Sequence, residues 1–203
     1  MFKVKFYYTV RNCGDGSAAA DFHAGKDTAQ IACDIEEEGG EPFGDNYPRL
    51  SSLTFDAQGR LQNPDATREE LLAELDGEDA DAQTHVSDKF PSILNRAGMG
   101  EYSGCLYYVM QNGGDGSANV GFYADRETAE LACRREEKYG AFSDIGPYRL
   151  TLSFDADGKL LNPVSDRKEL QRQLAEARGE EVEDEAPAAA PPKPVRKPRV
   201  PGR

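Results

Sequence analysis

Gly14-Asp15-Gly16-Ser17-Ala18 returns unchanged as Gly114-Asp115-Gly116-Ser117-Ala118, one hundred positions along the chain. The repetition spreads outward from this stretch. Tyr7-Tyr8 recurs as Tyr107-Tyr108, Phe22 as Phe122, Thr28-Ala29 as Thr128-Ala129 and Ala32-Cys33 as Ala132-Cys133. Arg49-Leu50 matches Arg149-Leu150, while Phe55-Asp56-Ala57 matches Phe154-Asp155-Ala156 and Asn63-Pro64 matches Asn162-Pro163. On these matches the offset slips by one residue, between Leu50 and Phe55. Self-similarity at a fixed period means that one structural unit is used twice.

The pattern around the glycines defines the unit. Phe2, Val4, Phe6, Tyr8 and Val10 alternate with polar partners, as a strand with one apolar face requires. Ala20, Phe22 and Ala24 repeat the alternation after the turn. A two-residue turn would put Phe22 opposite Thr9, on the wrong face. A three-residue loop, Gly14-Asp15-Gly16, pairs Tyr8 with Phe22 and Val10 with Ala20 and keeps the large apolar groups together. Such loops end on a left-handed residue, the role expected of Gly16 and Gly116.

A helix is expected over Lys26–Glu38 and Arg126–Lys138, with Asp125 as a cap and Ala29, Ala32 and Cys33 on one face. Gly39-Gly40 and Gly140 end these helices. Leu150, Leu152 and Phe154 form a third strand. In the first repeat the extra residue predicts a bulge at Ser51-Ser52, with Leu53 and Phe55 back in phase. Asp56-Ala57-Gln58-Gly59 and Asp155-Ala156-Asp157-Gly158 turn into a short fourth strand. Thr67 with Glu70, and Asp166 with Glu169, have capping-box spacing and open a second helix. The expected fold is α+β: two tandem β-β-α-β-β-α repeats, each an antiparallel sheet with helices on one face. Their expected bounds are 1–76 and 104–178, joined by a linker over 77–103. Residues 179–203 read as a disordered, Pro-rich tail.

Charge narrows the function classes. Of the net −13, residues 1–76 contribute −8 (7 basic, 15 acidic) and residues 104–178 contribute −2 (10 basic, 12 acidic). Duplex nucleic acid is an unsuitable partner for so few clustered cations. The four cysteines lack Cys-x-x-Cys spacing and read as free thiols in a reducing cytoplasm. The first residues alternate and lack a long apolar run, so neither a signal peptide nor a membrane span is expected.

No reaction chemistry recurs in both halves. His23 and His85 are the only histidines, and the second repeat has none, so no histidine-based triad is duplicated. No cofactor and no metal site is expected. The Asp155-Ala156-Asp157-Gly158 segment lacks the remaining ligands of a calcium loop. Adjacent carboxylates such as Glu36-Glu37 and Glu136-Glu137 diverge around a helix and read as a solvated face. The Gly-Asp-Gly-Ser loop precedes a strand rather than a helix and is read as a structural turn. The alternative is a ligand or partner contact by Asp15, Ser17, Asp115 and Ser117. The sheet face opposite the expected helices carries Tyr7 with His23 and Tyr107 with Tyr123, and is too aromatic for a wet surface. Either the repeats pack those faces together as a pseudo-dimer, or the faces bind a partner.

The Gly-Asp-Gly-Ser-Ala hairpin, the Phe or Tyr that follows it, the Ala-rich helix ending in Glu-Glu and the Phe-Asp-Ala-x-Gly turn resemble a loose group of small bacteriophage and prophage proteins. The resemblance covers most of each repeat and implies a phage-derived accessory protein of the bacterial cytoplasm. From these readings the expected function is a non-enzymatic interaction module that binds a host protein. The alternatives are a small-ligand, nucleotide-like binder using the paired loops, and an acidic mimic of nucleic acid.

Overall fold

The computed structural model describes residues 1–39, 42–75, 102–114 and 116–180. The fold is α+β and carries the duplication through. The first repeat contains β1 (Phe2–Asn12), β2 (Ala18–His23), α1 (Lys26–Gly39), β3 (Arg49–Phe55) and α2 (Arg68–Glu74). The second contains β4 (Tyr102–Asn112), β5 (Ala118–Tyr123), α3 (Arg126–Tyr139), β6 (Tyr148–Phe154) and α4 (Arg167–Ala177). Each half forms a three-stranded antiparallel sheet, ordered β2-β1-β3 and β5-β4-β6. Among the described residues the expected fourth strand shrinks to isolated bridges, Phe55 with Leu61 and Phe154 with Leu160, while Arg60 bridges in parallel to Cys105 of the other repeat. Asn-Pro follows within two residues and leaves no room for more. β4 starts at Tyr102, inside the stretch expected to be linker; most of that linker and nearly all of the tail lie outside the described residues.

The turn follows the register argument. Tyr8 pairs with Phe22, Val10 with Ala20 and Tyr7 with His23; Tyr107 pairs with Tyr123. The Cys13 N–H donates to Ser17 C=O at 3.1 Å, closing a three-residue loop in which Gly14 and Gly16 take φ of 79° and 85°. The caps also form where the sequence puts them. Asp125 accepts from the Thr128 N–H, Asp166 from the Glu169 N–H, and Thr67 with Glu70 makes a reciprocal capping box.

The bulge does not form. β1 and β3 pair without interruption from Phe2–Phe55 to Tyr8–Arg49, and β4 and β6 do the same from Tyr102–Phe154 to Tyr108–Tyr148. Arg49 is therefore the structural counterpart of Tyr148, not of Arg149. The extra residue of the first repeat falls in the connection between α1 and β3, where an insertion disturbs no ladder.

The covering of the sheets also differs from expectation. The Phe-rich faces, expected under the helices, face each other across the centre of the molecule. Phe6 meets Phe122 edge-on at 6.0 Å, Phe22 meets Tyr108 at 5.4 Å, and Phe55 meets Phe154 at 6.4 Å. Such edge and tilted ring pairs add about 0.5–1.5 kcal/mol each beyond the area they bury. The helices instead cover the faces bearing His23, Tyr107 and Tyr123, all of them buried. Small residues on α1 and α3 (Ala29, Ala32, Ala129, Ala132) allow the close approach.

The second helices cross over. α1 lies beside α4, and α2 beside α3, so each repeat's second helix packs with the other repeat's first. Arg178 bonds Glu38 at 3.0 Å at one crossing and Arg135 approaches Glu74 at 3.5 Å at the other. The backbone shows the same pseudo-twofold relation. Asp65 N–H donates to Phe122 C=O at 2.9 Å, and its counterpart Val164 N–H donates to Phe22 C=O at 3.0 Å. One apolar core therefore contains residues from both halves.

Candidate functional site

The pseudo-twofold axis creates two equivalent seams, each running between the edge strand of one sheet and the edge strand of the other. In one, β3 faces β5. In the other, β6 faces β2. The two seams carry different chemistry at matching positions: Arg49 against Tyr148, Asp65 against Val164, Asn119 against Ala19 and Arg135 against Ile35.

The β6–β2 seam is aromatic. Tyr108 and Tyr148 stack at 4.9 Å, and Phe22 meets Tyr108 edge-on. In the β3–β5 seam the same core tyrosine position, Tyr8, meets Phe122 edge-on at 5.8 Å, but where Tyr108 stacks on Tyr148 it donates its hydroxyl to Asn119 Oδ1 at 2.6 Å. Burial holds the Tyr8 phenol protonated, with its pKa pushed up to about 12.

Two adjoining clefts open along this seam. One, of about 450 Å³, lies between β3 and β5 and is lined by Leu50, Ser52, Asn63, Asp65, Asn119 and Val120 among others. The second, of about 350 Å³, is bounded by Asp45, Tyr47, Arg49, Ser117, Arg135 and Glu136 among others. Gln111 and Asn119 belong to both.

Most charges here are paired. Arg49 bonds Asp45 and lies over the Tyr47 ring at 4.9 Å. Arg135 pairs with Glu136 at 3.0 Å and donates to Tyr123 Oη at 3.4 Å. Glu136 is buried rather than solvated, because its other oxygen accepts the Asn112 N–H at 3.2 Å. Asp65 differs. One carboxylate oxygen accepts the Phe122 N–H, and no ion pair reaches it among the described residues. The residue keeps an exposed side, yet protein packs closely enough round its carboxyl that desolvation raises its pKa. Tyr47 and Leu50 are the exposed large apolar side chains at this seam, at 54% and 55%. Their counterparts are Gly146 and Arg149.

The residues singled out from sequence are scattered. Asp15 and Ser17 sit at an exposed hairpin tip, where Asp15 Oδ1 accepts both the N–H (2.9 Å) and the hydroxyl (2.5 Å) of Ser17. Those bonds hold the Asp15 carboxyl below the ordinary carboxylate range. The tip also has an internal partner: Gly16 C=O accepts from Ser143 N–H at 2.9 Å, and Gly116 C=O accepts from Gly44 N–H at 3.2 Å. Ser117 borders the second cleft, while Asp115 lies outside the described residues. Tyr7 is half-buried. His23, Tyr107 and Tyr123 present no surface to a partner because helices cover them. Sequence reading missed Arg49, Asp65, Asn119, Tyr47 and Leu50. The available signal was a difference between the repeats, and the misplaced bulge put Arg49 and Leu50 opposite the wrong counterparts.

Among the described residues, no three His, Cys, Asp or Glu side chains gather as a metal site, and no helix is long and apolar enough to cross a membrane. The Cys33 and Cys133 thiols are pushed up to about 12 by burial, so neither is an activated nucleophile. Comparison of the chain with protein-family models, curated proteins and solved structures gave no match.

Proposed function

We propose that this chain is a non-enzymatic binding module that engages a protein partner through the β3–β5 seam. The observation carrying the reading is asymmetry within a duplication. One seam keeps Tyr47 and Leu50 exposed around a polar cleft, while the equivalent positions hold Gly146 and Arg149. Tyrosine and arginine are residue types that concentrate binding energy at protein interfaces. In keeping with the phage resemblance, the partner is a host protein of the bacterial cytoplasm, and the excess negative charge favours a cationic one.

The test places a photo-crosslinking amino acid at position 47 of the full chain in bacterial lysate. A discrete adduct is expected, lost in Leu50→Asp with an unchanged thermal midpoint. An adduct indifferent to Leu50→Asp, or none, contradicts the reading.

A further inference from the structure

The open backbone of the β3–β5 seam identifies the shape of what it takes. Along a strand, alternate residues turn their N–H and C=O to the same side. On the outer side of β3, Thr54 N–H donates to Asn63 Oδ1 at 2.6 Å and Ser52 C=O accepts from Asn63 Nδ2 at 2.9 Å. The same alternation points both backbone groups of Leu50, and the N–H of Ser52, out of the sheet. On β5, Phe122 is satisfied by Asp65, and the Ala118 N–H donates to Asp45 Oδ1 at 3.3 Å. Between them the Val120 N–H and C=O point into the cleft. The chain's own segments thus close both ends of the seam and leave the middle lined by unextended ladder.

Edge strands are normally guarded against pairing by a charged side chain. The β6 edge has such a guard in exposed Arg149, preceded by Tyr148 in its stack with Tyr108. The β3 edge carries Leu50 in that place. Asp65, the carboxylate of the cleft without an ion pair, is replaced by Val164 in the other seam. The equivalent edge is therefore blunted and uncharged at its base, while this one is open and acidic.

We infer that the β3 edge around Leu50 takes an extended peptide segment of the partner as an added strand, with a Lys or Arg of that segment facing Asp65. This inference rests on the binding-module reading above and specifies its partner. Backbone bonds to Leu50 and Ser52 would set the register, Leu50 would flank the incoming side chains, and Asp65 would select a cation.

The test uses the full-length chain and a displayed library of short random peptides, followed by binding measurements on the enriched peptides. Enrichment of alternating β-branched residues with one Lys or Arg is expected. Leu50→Pro removes the open N–H at an edge position that tolerates proline, and should abolish binding. Leu50→Ala keeps the N–H and should weaken binding only several-fold. Asp65→Asn should cost about tenfold and remove the preference for a basic residue, a size typical of one charge-assisted bond. N-methylation of alternate peptide amides should also abolish binding. Peptides that lose affinity in Tyr47→Ala but ignore N-methylation and Leu50→Pro would overturn strand addition and leave the seam reading standing. Failure to enrich any peptide sensitive to seam substitutions would overturn both.

Discussion

His23 shows how one residue can set a condition on the whole fold. It is buried beneath α1, its Nε2 meets Thr9 Oγ1 at 3.0 Å, and among the described residues its Nδ1 has no partner. Burial lowers its pKa from 6.5, and Asp21 offsets only part of the shift. As pH falls, the unfolded chain therefore takes up this proton before the folded one. Its contribution to stability is complete above 6.5 and declines as pH drops below that value toward the folded pKa. Urea midpoints measured from pH 8 to pH 5 should fall on the acid side, and His23→Phe should flatten that fall. An unchanged slope in the variant would assign the acid sensitivity elsewhere. Sequence alone placed His23 opposite Tyr7 correctly. It could not show that the pair is covered, because alternation separates two faces of a strand without saying what lies on each.

At the scale of elements, the hairpins, helices and caps were legible because each is decided locally. Three-residue turns, capping boxes and the small-residue helix face are fixed by neighbours within a few positions. Gly16 gives a direct check. At φ 85° a side chain is strained, so Gly16→Ala should cost roughly 1–2 kcal/mol in chemical denaturation. Gly39→Ala, in the last turn of α1 with open space for its Cβ and no left-handed backbone, should be neutral or slightly stabilising. Equal costs would mean that the turn does not hold its left-handed residue. What failed was alignment between elements. The Arg-Leu match drew Arg49 onto Arg149, whereas the ladders pair seven-residue strands that place Arg49 with Tyr148. The candidate site lay behind the same error, since its distinctive residues emerge only when the repeats are compared in their true register.

Across the whole molecule, the duplication makes one core rather than two. Gly104 records how closely the halves approach: a Cβ there would lie 2.5–2.8 Å from ring atoms of Phe55 in the other repeat. Gly104→Ala should destabilise the full chain by about 1–3 kcal/mol, the usual cost of overpacking, and should lower the midpoint of a single unfolding transition. No strand pattern could disclose this contact, because it depends on which sheet face meets which. The crossed helix pairs and the reciprocal Asp65–Phe122 and Val164–Phe22 bonds likewise tie each repeat's second half to its partner. The most direct measurement is therefore the amide spectrum of residues 1–76 alone, of 102–180 alone, and of the two mixed. The account predicts that neither segment is a folded monomer and that mixing restores the dispersed spectrum of the full chain. A well-dispersed monomeric spectrum from either segment by itself would contradict it.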